Sequence, residues 1–101
     1  EWAYYVQALA NFKEGDGSLL DNSLIYATTD QSFAKIHGID GIPMFTAGTA
    51  GGRIKTGLHL DGADTPACRL GFTAQRLMGL DIPSWGEKSN NTSDEISEIL
   101  V

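Results

Sequence analysis

Glycine sets the tightest limit on what this chain can fold into. Twelve of the 101 residues are glycine, and eight of them fall where they cut apolar patterns short: Gly15 and Gly17, the run Gly48, Gly51, Gly52 and Gly57, then Gly62 and Gly79. A glycine inside a helix or strand gives up side-chain packing and loses more backbone freedom on folding than any other residue, so it punctuates. Long helices and long strands are excluded between such stops. Short elements joined by tight turns remain, and the length allows one domain with one modest core.

Between the stops the spacing of apolar residues assigns the elements. Trp2, Tyr5, Val6, Leu9 and Phe12 recur at three- and four-residue steps, as one helical face requires, and Gly15-Asp16-Gly17 ends that helix. Leu24 to Ala27 form a continuous apolar run beside Thr28 and Thr29, which predicts a strand buried on both faces. Residues 31–42 follow neither period and read as a loop. Pro43 opens a second run, Met44-Phe45-Thr46-Ala47, which Gly48 closes, and this predicts a second buried strand. The glycine-rich stretch 48–57, then Leu58-His59-Leu60 and Asp61-Gly62, reads as a hairpin or excursion loop.

Thr65 as N-cap, Pro66 at the first helical position and Ala67, Leu70, Ala74, Leu77 and Met78 on one face predict a helix that Gly79 stops. Thr92 and Glu95 form a capping-box pattern ahead of Ile96, Ile99 and Leu100, so a short helix is expected in the tail. The order helix, strand, strand, hairpin, helix favours an α/β architecture, a small mixed or parallel sheet with flanking helices over residues 1–86 and a polar tail over 87–101.

Thirteen acidic against seven basic residues leave a formal net charge of −6, which repels a phosphate backbone and an anionic membrane surface. Nucleic acid is therefore not an expected partner. No run approaches the roughly 20 apolar residues that a membrane span needs. Cys68 is the one cysteine, which excludes an intrachain disulfide and a cysteine-rich zinc site and leaves the redox compartment open. It reads as a helix packing residue.

Asp30 ends the first apolar run. In open parallel sheets functional groups gather beyond the carboxyl ends of strands, so a carboxylate there with His37 seven residues on offers two ligands to a divalent metal, with Thr28, Thr29 and Gln31 as supporting contacts. The same residues also fit a loop-capping Asp and an exposed His. Arg53 and Lys55 in the glycine-rich stretch have the general character of an anion-cradling loop, but the spacing matches neither the P-loop nor the dinucleotide fingerprint, and a hairpin with two solvated cations fits as well. His59 could extend a polar site, although it alternates with Leu58 and Leu60. No serine sits in a nucleophile-elbow pattern.

Taken together, EGDGSLLDNS with its following strand, the His37-to-Pro43 step and AGTAGGRIKTGLH are more specific than any one of them. With the TPACRLGFTAQRLMGL helix and Trp85-Gly86 they make residues 2–86 resemble the C-terminal part of the HXXSHH family, whose members look like part of the alkaline phosphatase and sulfatase superfamily. The resemblance implies an alkaline-phosphatase-like fold, export from the cell, and Asp30 and His37 as ligands of a catalytic divalent metal such as zinc, calcium or magnesium. It also implies that the nucleophile, the other metal ligands and the His-rich motif lie in an upstream half missing from this chain. Gln31 stands where the superfamily often has a second histidine, a departure from the ligand set of a full two-metal site.

Two functions are then expected: a fragment of a metal-dependent phosphatase- or sulfatase-like hydrolase, incomplete as a catalyst by itself, or a non-catalytic binding module on the same scaffold. In either case a truncated sheet exposes edges and apolar surface, which predicts self-association.

Overall fold

A computed structural model describes all residues, 1–101. The chain divides into two compact units, residues 1–57 with Val101, and residues 58–100. The division falls at Gly57, inside the stretch expected to be one α/β domain, and residues 87–100 belong to the second unit.

The first unit opens with α1, Trp2–Asn11. Trp2, Val6 and Leu9 are half-covered as the periodicity requires, but Tyr5 is about half exposed and Phe12 has left the helix in an extended conformation. Strands β1 (Lys13–Glu14) and β2 (Gly17–Ser18) form a hairpin with Glu14 opposite Gly17. Gly15 at φ 57° takes the first central position of the turn, where a two-residue hairpin of this kind calls for glycine.

Strands β3 (Ile25–Thr28) and β4 (Met44–Ala47) pair antiparallel, with Ile25 opposite Ala47 and Thr28 opposite Met44. Both strands stand where the apolar runs predicted them, but the sheet differs from expectation. It is antiparallel, not parallel or mixed, and only two strands wide. Neither strand is buried on both faces: Ile25 and Ala27 are half-covered while Tyr26 and Thr28 are exposed. A continuous apolar run reports β-character, and a sheet with no layer on its second face cannot bury it.

The glycine-rich stretch forms no hairpin. It folds back onto residues 20–23 in successive turns, with Ala50, Gly51 and Gly52 all at positive φ. Ala50 donates its N–H to Ser23 O at 2.9 Å, Gly51 donates to Asp21 O at 2.8 Å, and the Thr49 hydroxyl reaches the same carbonyl at 2.6 Å. Gly48 is required by this approach, because a Cβ there would lie 2.2 Å from Ser23 O. The fold-back buries Ala50 and Ile54.

The second unit is built on α2, Cys68–Leu77. Thr65 does not cap it: its hydroxyl donates to Gly62 O at 2.6 Å, and Ala67 holds the cap position without a side-chain bond. Gly79 ends it as expected, at φ 89°, with Leu80 N–H on Gln75 O and Gly79 N–H on Arg76 O in a Schellman arrangement. The enclosed residues are Leu70, Phe72 and Thr73, while Met78 is exposed, so the buried face is rotated from the expected one. The cause is the segment 85–99, which lies against α2. Trp85 and Thr92 exchange both backbone hydrogen bonds, and the Trp85 ring sits where a Cβ on Gly71 would be, 2.2 Å away. The tail helix expected from Thr92 and Glu95 is only a one-turn 3-10 helix at Ser97–Ile99. Glu95 is instead drawn to Arg76 at 2.8 Å, and the Thr92 hydroxyl accepts from Asp94 N–H.

Mixed helices and small antiparallel sheets make this an α+β chain. No helix is long and apolar enough to cross a membrane.

Candidate functional site

The connection between β3 and β4 carries most of the candidate residues, and short-range hydrogen bonds shape it. After Thr28 the chain leaves the sheet through Thr29, whose hydroxyl donates to Gln31 O at 2.7 Å, while the Thr28 hydroxyl donates to Thr29 O at 3.2 Å. Asp30 between them is exposed. Ser32 N–H then donates to Gly38 O at 2.8 Å and Gly38 N–H to Phe33 O at 3.1 Å, which closes residues 32–38 into a small loop. Inside it lies a one-turn 3-10 helix, Ala34–Ile36.

His37 ends that turn in the left-handed region, φ 53° and ψ 42°. For a residue with a Cβ this conformation costs about 1–2 kcal/mol, and such strain gathers at functional loops. It is not unique here, since Ala50, Asp64 and Lys88 share it. The side chain adds a sharper feature: Nδ1 of His37 lies 2.9 Å from Nε2 of Gln31. Thus Gln31 is brought to His37, and Thr29 holds the backbone from which Gln31 projects.

The other candidates stand apart from that loop. Arg53 turns its Nε onto Ala50 O at 2.7 Å. The N–H groups of residues 50–54 are all bonded within the chain, to Ser23 O, Asp21 O, the Thr49 hydroxyl and Thr49 O, so none of them is left for an anion. Lys55 is exposed, and His59 is an exposed residue of the second unit. Nowhere in the chain do three or more His, Cys, Asp or Glu side chains come together as a metal-binding group.

Two polar clusters were not legible in the sequence. In the first unit, backbone N–H and hydroxyl of Ser18 both donate to Oδ2 of Asp21 at 2.8 Å. These bonds, the backbone one foremost and with help from Lys13, hold the Asp21 carboxyl below its ordinary pKa. In the second unit, Arg76 binds Glu95 at 2.8 Å and Asp81 at 3.1 Å, and its pKa is pushed up, chiefly by Glu95. Arg69, two turns earlier on the same helix, donates to Glu95 O at 2.7 Å, and its Nε is enclosed without a partner. Both arginines line an open concavity of about 730 Å³ with Phe72, Ile82 and Asp94. The seven-residue spacing of Arg69 and Arg76 was the available signal, but their partner lies 19 residues beyond Arg76 in the sequence. Cys68 is half-buried with Sγ against Asn90 O, consistent with a packing role.

Comparison of the chain with protein families, with characterised proteins and with solved structures gave no match.

Proposed function

We propose that this chain is a C-terminal portion of an alkaline-phosphatase- or sulfatase-like protein of the HXXSHH type, and that it contributes Asp30 and His37 to a divalent-metal site completed by residues outside it. One observation carries this reading. A carboxylate and an imidazole share one exposed connection, and that connection is closed on itself so that His37 is held in a strained conformation with one ring nitrogen engaged by Gln31. Metal-ligating histidines characteristically donate a hydrogen bond from their second ring nitrogen, and the Gln31 side chain stands where its amide oxygen, once turned toward Nδ1, would accept that bond. Thr28 and Thr29 support the exit from β3 and are not ligands.

A bound zinc, magnesium or calcium ion would supply Lewis-acid polarisation of an ester oxygen. With two donors from this chain, catalysis by the chain alone is not expected. Export from the cell belongs to the same proposal and rests on the resemblance alone.

The test is a titration of Mn²⁺ into the isotopically labelled chain, followed by NMR. Line broadening centred on residues 30–38 is expected, with weak affinity on the order of 10⁻⁴–10⁻³ M, and it should vanish in Asp30→Asn and His37→Ala. Broadening spread over the acidic surface in proportion to exposure, and unchanged in both variants, would sink the proposal.

A second reading, a non-catalytic interaction module, is favoured by a separate feature of the same connection. Phe33, Ile36 and Ile39 are 57%, 70% and 75% exposed. An apolar loop of this kind fits a surface that other protein covers, including a second copy of this chain. Light scattering over a concentration series should reveal association that Ile36→Ser with Ile39→Ser removes. A wild-type chain that stays monomeric throughout would overturn self-association.

A further inference from the structure

The fold commits one nitrogen of the His37 ring and leaves the other open. The backbone at His37 is fixed by its N–H on Ala34 O at 3.3 Å and by the next N–H, that of Gly38, on Phe33 O at 3.1 Å. Gln31, half-buried and anchored through its carbonyl to Thr29, meets Nδ1 at 2.9 Å. Only Nε2 is then available to a ligand.

A neutral imidazole has one N–H and one lone pair, so whatever Nδ1 does decides what Nε2 can do. With the amide NH₂ of Gln31 donating to Nδ1, the ring proton must sit on Nε2, which then offers a hydrogen-bond donor and no lone pair. With the amide turned over, its oxygen accepts from Nδ1–H, and the Nε2 lone pair is free for a cation. The two ends of the amide are nearly equal in size, so one 2.9 Å contact serves both states.

We infer that Gln31 is a positioning residue that sets the tautomer of His37: as arranged it holds the ring in the Nε2–H form, and a cation can bind Nε2 only after the Gln31 amide turns over. The consequence for metal binding rests on the reading proposed above, whereas the tautomer itself does not. A glutamine here makes the ring reversible between donor and ligand. A carboxylate at the same place, which can only accept, would commit it to the ligand form.

The experiment is long-range ¹H–¹⁵N NMR of the imidazole in the metal-free chain, at a pH well above the ordinary histidine range. Wild type should be mainly Nε2–H, and more so than Gln31→Leu, because a free imidazole already leans that way and the amide adds to it. Gln31→Glu should invert the ratio and make Nδ1–H the major form. Gln31→Asp carries the same charge one methylene shorter and should remain Nε2–H. Equal ratios in the Glu, Asp and Leu variants would overturn the inference.

Zn²⁺ added afterwards should bind Gln31→Glu about tenfold more tightly than Gln31→Asp, the lower end of what outer-shell partners contribute. A tautomer that inverts in Gln31→Glu while no metal broadens residues 30–38 upholds the role of Gln31 and removes the metal reading. A tautomer indifferent to Gln31 beside localised metal broadening does the opposite.

Discussion

In residues 1–57 the enclosed apolar side chains are Ala50 and Ile54 alone, whereas residues 58–100 enclose Leu70, Phe72 and Ile99 together with the polar Thr73. The means of closure differ too. The first unit is drawn together mainly by backbone bonds across glycines, with Gly48 seated against Ser23 O and the N–H groups of 50 and 51 reaching residues 23 and 21. The second is drawn together by side chains reaching backbone: Thr73 donates to Arg69 O at 2.8 Å and accepts from Ile96 N–H at 2.9 Å, and Arg69 reaches Glu95 O. Backbone closure leaves large side chains outside. Tyr4, Phe12, Ile36, Ile39 and Phe45 of the first unit are each at least 60% exposed. The unit with the thinner core exposes more large apolar side chains than the other, where Met78 and Leu80 stand out, and it is the one that carries the Asp30–His37 connection.

The comparison breaks most directly at the cores. Phe72→Ala should cost about 3–5 kcal/mol and Ile54→Ala about 2–4 kcal/mol, as large-to-small changes at enclosed sites do. Amide hydrogen exchange should then rise in residues 58–100 for the first variant and in residues 1–57 for the second. If either variant opened both units equally, the two would be one cooperative structure and the contrast between them would lose its energetic meaning.

Glycine substitution separates the two modes of closure. A methyl at Gly48 meets backbone at 2.2 Å, and its φ of 91° is one that residues with a Cβ avoid, so Gly48→Ala should cost about 2–4 kcal/mol. A methyl at Gly71 meets the Trp85 ring at the same distance, but a ring can move. Gly71→Ala should therefore cost less, about 1–3 kcal/mol, with a change in Trp85 fluorescence that Gly48→Ala does not produce. Equal costs would mean that the first unit yields as readily as a side chain does.

These residues also explain what the sequence could and could not reveal. Both helices and both longer strands were legible, because a helical period or an apolar run bounded by glycine or proline is a local signal. Strand direction was not. The connection of residues 29–43 is long enough for a crossover, and nothing within it says that it returns antiparallel. The buried face of α2 was not legible either, because Trp85, Thr92 and Glu95, which decide it, lie far along the chain. Asp30 and His37 were legible as residue types, and Gln31 as a departure from a pattern. That Gln31 touches His37 depends on the loop closing between Ser32 and Gly38, which no spacing rule expresses.

The smallest expected effect concerns charge. The Asp21 carboxyl is held below its ordinary pKa by Ser18, first through the backbone bond and then through the hydroxyl. A carboxyl with a lower pKa in the folded state stabilises that state above the unfolded value, near 4, and the contribution is lost as pH falls through the folded value. Wild type and Asp21→Asn should thus differ in urea midpoint at neutral pH, by less than either glycine variant does, and the two curves should converge below about pH 4. Arg76 gives the second unit no counterpart from its own titration, since a guanidinium pushed further up stays charged over that whole range. Exchange rates should accordingly change around residues 17–21 and not along α2. A midpoint difference that stayed constant down to pH 2 would mean that Asp21 acts through its shape as an acceptor, and the charge would drop out of the contrast between the units.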